Sequence, residues 1–214
     1  MKILVLGASG GVGRQIVRLA LDEGHAVTAL ARRPDAIDSR ARIVTADVLR
    51  PGCLAEQVAG HDVVLSSLGL KRRHPANPWS ALVSPPDFCS ITASALVTAM
   101  QTHGASRVIA VSAAGVADSA PTMNWLMRFF VRSSNVGVAY RDLAAMEGIF
   151  AASPLDWCCP RPTRLTNGPL TRRVKTTDRF SVSAAISRAD VAWWMIERVH
   201  HPTTLRLPLI TADT

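Results

Sequence analysis

The stretch KILVLGASGGVGRQIVRLALDEG, residues 2–24, joins two hydrophobic periodicities across a run of glycines. Its first residues, KILVL, are apolar without alternation, as in a strand covered on both faces. From Val12 onward the apolar positions become Val12, Ile16, Leu19 and Ala20, which share one face of a helix. Between the two lies GASGGVG, which sets Gly7, Gly10 and Gly13 three residues apart. In such a strand, loop and helix the glycines permit a tight turn, close backbone approach to a phosphate, and close packing of helix on strand. The helix N-terminus adds free N–H groups and the positive end of a dipole, which suit a pyrophosphate. The spacing is GxxGxxG rather than GxGxxG, so the reading rests on the strand–loop–helix context.

Outward from this unit, HAVTALA, ARIVTA and DVVLSSLG read as strands two to four, with a short helix around CLAEQVAG. The long helix DFCSITASALVTAMQTHG then leads into strand five, RVIAVSA. Apolar runs alternating with helical patterns predict βαβ units and a doubly wound parallel sheet buried on both faces. From Gly115 the rhythm changes. SAPTMNWLMRFFVRSSN is apolar with basic interruptions, VAYRDLAAMEGIF (138–150) reads as a helix, and LDWCCPRP holds a sixth strand. TRLTNGPLTRRVKTTDRFSVS predicts an irregular lobe with short strands; Ser187 then caps a last helix, and TTLRLPLI is the last strand. No repeat or linker interrupts the chain, so one α/β domain over 1–214 is expected, with a small irregular C-terminal substrate lobe.

With 48% hydrophobic and 19% charged residues, disordered and fibrous classes are excluded. The N-terminal apolar run is too short for a leader or a membrane span, so a cytoplasmic location is expected. Cys53, Cys89, Cys158 and Cys159 have no CxxC spacing and read as buried reduced thiols; the last two would face opposite sides of a strand. The histidines show no ligand spacing, His200 and His201 being direct neighbours, so no metal site is expected. The net charge of +8 comes mostly from arginine, since Lys2, Lys71 and Lys175 are the only lysines. Few aromatics accompany the basic clusters and no nucleic-acid-binding motif is present, which argues against nucleic acid as a partner. One cluster has a better use. At the tip of strand two, where an acid would grip the ribose 2'-hydroxyl of NAD, the sequence reads LARRP, with Arg32 and Arg33 and no acid before Asp35. Two guanidiniums there favour a 2'-phosphate and predict NADP(H) over NAD(H).

The segments LVLGASGGVGRQIV, ARRP, TADVL, VVLSSLG, ALVTAMQTHGASRVIAVSAAG and SPLDWCCPRPTRLTNGP, in that order, resemble the atypical short-chain dehydrogenase/reductases. Within them the likeness is to the NAD(P)H-binding group of NmrA-like and flavin- or biliverdin-reductase-like proteins, with a Rossmann-type fold. The resemblance implies that Ser9, Gly10, Gly11, Val12 and Gly13 cradle pyrophosphate, beside Gly7, and that Arg32 and Arg33 meet the adenosine phosphate. It implies that Asp47 and Val48 flank the adenine, and that Ser66, Ser67, Leu68 and Gly69 pass beneath the ribose. Ser112 and Ala113 would lie beside the nicotinamide, with Pro160, Arg161, Pro162 and Thr163 closing over it. Asp47 could instead cap the next segment, and Ser112 could satisfy a strand-end backbone group.

Ser112 and Tyr140 are the catalytic candidates. Standard short-chain dehydrogenases place a lysine four residues after the active-site tyrosine, on the same helix face, to lower the phenol's pKa. Here position 144 is alanine, and Arg141 lies about 100° around the helix. Leu143 and Glu147 complete that face, and a carboxylate there would raise the phenol's pKa. Two functions follow. One is a reductase passing hydride from NADPH to a planar acceptor such as a flavin or quinone, which needs stacking more than acid–base groups. Its pocket would draw on LKRRHPANPW, GVADSAPTMNWLMRFF and TRLTNGPLTRR, with Trp79, Trp125 and Phe129 as stacking candidates. The other is a non-catalytic NADP(H) sensor using MNWLMRFFVR as a partner surface. A sugar-nucleotide epimerase fits less well without the tyrosine–lysine pair. A small-molecule substrate and a monomer or homodimer are expected.

Overall fold

The computed structural model describes residues 1–123, 125–181, 183–201 and 204–213. Strands β1 (Lys2–Leu6), β2 (Ala26–Ala31), β3 (Arg42–Thr45), β4 (Val63–Ser66), β5 (Arg107–Ala110) and β6 (Asp156–Cys158) form a sheet in the order β3-β2-β1-β4-β5-β6, every pair parallel. Chain order reverses between β1 and β4. In a doubly wound sheet this switch opens a crevice at the carboxyl ends of the strands.

Each face carries its own core. On one side Ile3 and Val5 pack with α1 (Gly11–Asp22) and α6 (Arg188–His200); on the other Leu4 and Leu6 pack with α2 (Cys53–Val58), α3 (Phe88–His103) and α5 (Asn135–Ala151). The expected face of α1, Val12, Ile16, Leu19 and Ala20, is buried, together with Gly13 and Val17. Cys158 and Cys159 enter opposite cores, as period-two alternation requires, and all four cysteines are free and buried. Burial drives the thiol pKa values up, that of Cys158 to about 12. One expectation fails: β3 is not buried on both faces. It forms the outer edge of the sheet, and Ile43 is 39% exposed.

Past β5 the chain makes a 3-10 turn (Ala117–Thr122) and the exposed helix α4 (Trp125–Ser133) before α5. The C-terminal lobe holds short strands. β7 (Arg161–Pro162), β11 (Leu209–Ala212) and β9 (Val174–Thr176) form one sheet, while β8 (Arg164–Thr166) and β10 (Ala185–Ser187) form another. Ser187 caps α6, its Oγ accepting from the Asp190 N–H at 2.9 Å. Among the described residues no helix is long and apolar enough to cross a membrane.

Candidate functional site

The β1–α1 loop is a tight turn. Gly7 adopts φ +74°, a conformation that disfavours a side chain, and its carbonyl accepts from the Gly10 N–H at 2.9 Å. A Cβ at Gly13 would overlap that same carbonyl oxygen, so helix and strand meet at a distance only glycine permits. Gly10 caps α1 without a side-chain hydrogen bond, and no acid stands in the first turn. This leaves a helix N-terminus of positive potential, which suits a pyrophosphate.

Beside the loop lies a cavity of about 220 Å³. Gly7, Ser9 and Gly10 line it from the loop, Arg32 and Arg33 from the end of β2, Val48 from behind β3, and Ser67, Leu68 and Gly69 from behind β4. Gly11, Val12, Gly13, Asp47 and Ser66 lie outside it, for distinct reasons. Val12 is in the core and Gly13 serves packing. Ser66 is buried at the end of β4. The Asp47 carboxylate accepts from the Leu49 N–H at 3.0 Å and so shapes its own turn, the alternative reading of that residue.

Two cations here are not among the cofactor contacts expected from the sequence, although Lys71 belongs to the LKRRHPANPW segment expected at the substrate pocket. Lys71 joins Arg32 and Arg33 in the cavity wall; burial first, then the two guanidiniums, lowers its pKa. Arg188, from the first turn of α6, lies against Gly11, where an added Cβ would come within 2.6 Å of its Cδ. Its Nη1 donates to Asn167 Oδ1 at 2.7 Å. Lys71 follows the SSLG segment by two residues along the same cavity wall, whereas Arg188 reaches the loop only through tertiary packing, which no local pattern marks.

A second cavity, about 250 Å³, opens beyond β5. Ser112, Ala113, Tyr140, Pro162 and Thr163 meet there, with Met123, Met127, Leu165 and Phe180 adding apolar wall. Buried Ser112 donates through Oγ to Glu147 Oε1 at 2.6 Å, while its N–H donates to the Pro160 carbonyl. Arg161 does not reach this cavity. Its Nε and Nη2 donate to Glu147 at 2.9 and 2.7 Å, and its Nη1 pairs with Asp118 at 2.7 Å. Pro160 is likewise buried outside the cavity lining.

Tyr140 donates its hydroxyl hydrogen to the Ala114 carbonyl at 3.0 Å, and burial raises its pKa. The expected influence of Glu147 on this phenol is absent, because Glu147 is committed to Arg161 and Ser112. Trp79, Trp125 and Phe129 do not line the cavity. Trp79 packs edge-on against Phe130 and donates its indole N–H to the Ser133 carbonyl, while Trp125 and Phe129 are 78% and 65% exposed. Behind Tyr140 a further cavity of about 360 Å³ is lined by Arg128, Arg132, Arg141 and Ala144.

A glycine loop at a helix N-terminus, set in the crevice of a 3-2-1-4-5-6 parallel sheet, defines a nucleotide-binding α/β protein. The chain belongs to the NAD(P)H-binding family, whose profile matches residues 7–202. It is 39% identical over 83 residues to photosystem II assembly factor Ycf39 of Cyanophora paradoxa, covering 37% of this chain and 26% of that protein. It is 30% identical over 161 residues to the 3-diazoavenalumate denitrifying reductase of a Streptomyces species, covering 72% of this chain and 53% of that protein. The chain thus matches between about a quarter and a half of the length of these curated relatives. The solved structure of ChuY, an anaerobillin reductase from Escherichia coli O157:H7, shares its fold. The TM-score is 0.80 at 22% identity, covering 100% of this chain and 98% of that one.

Proposed function

We propose that the protein is an NADPH-dependent reductase acting on a planar acceptor such as a flavin or quinone. The observation that carries the cofactor choice is the cavity beside the glycine loop. Arg32, Arg33 and Lys71 converge on it and, among the described residues, no carboxylate lines it, so a 2'-phosphate is favoured over a bare ribose hydroxyl. Gly7, Ser9 and Gly10 would hold the pyrophosphate, with Arg188 positioned across the loop to add a charge-assisted contact. Val48 and Leu68 would take the adenosine, and Ser112, Ala113, Pro162 and Thr163 the nicotinamide end. When bound, the reduced nicotinamide supplies a hydride.

The remaining work falls to the second cavity. Met123, Met127, Leu165 and Phe180 exclude water and give a flat ring an apolar surface to lie on. Glu147, fixed by Arg161, holds the Ser112 hydroxyl in one orientation at the cavity wall. The phenol of Tyr140 is committed to a backbone carbonyl, so the proton that completes acceptor reduction comes from solvent. A reductase reading also agrees with the reductase activities for which the Streptomyces relative and ChuY are named.

The test is a tryptophan-fluorescence titration with NADPH and NADH on wild type and on Arg32→Ala/Arg33→Ala. Each lost charge-assisted hydrogen bond is worth about 1.5–3 kcal/mol, so NADPH affinity should fall by roughly tenfold or more while NADH affinity changes little. Equal affinity for the two cofactors in wild type would refute the NADPH assignment. NADPH oxidation with a flavin or quinone acceptor then tests catalysis; tight binding without turnover would favour the sensor function.

A further inference from the structure

At the amino ends of the strands, opposite the glycine loop, three metal-ligating side chains meet from distant parts of the chain. Glu23 closes α1, Gly24 turns the chain at φ +79°, and His25 leads into β2. His200 ends α6, which packs along α1. His25 Nε2 lies 3.1 Å from His200 Nε2 and 3.8 Å from Glu23 Oε2, and the three ligand atoms all fall within 4.8 Å of one another. Bond lengths of about 2.0–2.2 Å at tetrahedral angles put the ligand atoms of a zinc ion about 3.3 Å apart. The two measured edges bracket that value.

Glu197, one turn before His200, adds a second carboxylate whose charge acts on Glu23. Like charges gathered against two imidazoles, one of them buried, are what a divalent cation relieves. Two positive groups face the cluster from other elements. Arg172 acts on Glu23, and the Met1 amine lies 3.3 Å from His25 Nδ1.

We propose that Glu23, His25 and His200 form a binding site for a divalent first-row cation, with Zn²⁺ the best match, that clamps the end of α6 to the α1–β2 turn. Imidazole and carboxylate donors without a thiolate suit Zn²⁺, and three protein ligands leave a coordination position for water. The site is separate from the cofactor crevice. Local residue spacing holds no hint of it, because His25 and His200 are 175 residues apart.

The experiment uses the untagged 214-residue chain, stripped with a chelator and titrated with ZnCl₂ by calorimetry and thermal unfolding. One Zn²⁺ per chain is expected, with Tm raised by roughly 5–10 °C at a hundredfold excess over Kd. Glu23→Gln and His200→Ala alter exposed side chains and leave the fold intact. Each should weaken Zn²⁺ binding about tenfold or more, while NADPH binding is unchanged. Absence of Zn²⁺ binding, or equal binding by wild type and both variants, would overturn the site and leave a plain hydrogen bond between the two rings.

Discussion

Tyr140 and Glu147 occupy one helix face, yet the structure gives them separate roles. The phenol points its hydrogen at the Ala114 carbonyl, and no cation stands four residues on to lower its pKa. A true general acid contributes about 10²–10⁴ in rate, whereas a hydrogen bond to a carbonyl contributes about 1 kcal/mol of stability. Tyr140→Phe should therefore cost about that much stability and leave acceptor turnover without a collapse. A hundredfold fall in kcat with NADPH affinity unchanged would make the tyrosine the acid. Glu147 and Arg161 behave differently, since both side chains are at least 95% buried and joined by two hydrogen bonds. Removing Glu147 leaves the buried guanidinium only the exposed Asp118 as a counter-charge, so Glu147→Ala should lose roughly 3 kcal/mol in a denaturant melt. Local motifs make Arg32 and Arg33 legible in the sequence. Arg161, which the family resemblance puts over the cofactor, is instead drawn into the protein by a partner 14 residues away on another element.

At the scale of elements, hydrophobic period locates the six main strands and the long helices, since each is set by its own residues. The lobe strands are legible only as an irregular region. β7 is two residues long and owes its existence to pairing with β11 near the other end of the lobe, information that no short window contains. The start of α3 shows the same dependence. Its N-cap Asp87 makes no side-chain cap bond; instead buried Asp142, on α5, accepts from the Cys89 and Ser90 N–H groups at 2.7 and 2.9 Å. A carboxylate on two amides at a helix N-terminus combines capping with a favourable dipole contact. Asp142→Ala leaves both donors without this acceptor, and a loss of about 2–4 kcal/mol is expected from thermal or denaturant unfolding. An unchanged midpoint would mean that α3 finds another cap.

For the molecule as a whole, pH should act through groups that folding keeps uncharged. His61, between α2 and β4, has its pKa lowered below 6.5, chiefly by burial. Its Nε2 lies 2.8 Å from Thr28 Oγ1, while Nδ1 is buried without a hydrogen-bond partner among the described residues. The neighbouring backbone of Val58, Gln57 and Ala59 opposes the shift and Arg42 adds to it. The unfolded chain therefore takes up a proton near pH 6.5 that the folded chain refuses. Its contribution to stability is full above that pH and is lost as pH falls toward the folded value. Each added proton also enlarges a net charge that is already +8, which favours the expanded state. On the alkaline side the buried thiols and Tyr140 act in the opposite sense, because the unfolded chain ionises from pH 9.0 upward while the folded one resists. Tm should be highest between these limits and fall on both sides. In His61→Gln, which keeps a polar contact to Thr28 but cannot titrate, the acid limb that begins near pH 6.5 should flatten relative to wild type. A limb of unchanged slope would assign the acid sensitivity in that range to another imidazole, such as His25, whose pKa is also lowered, first by burial.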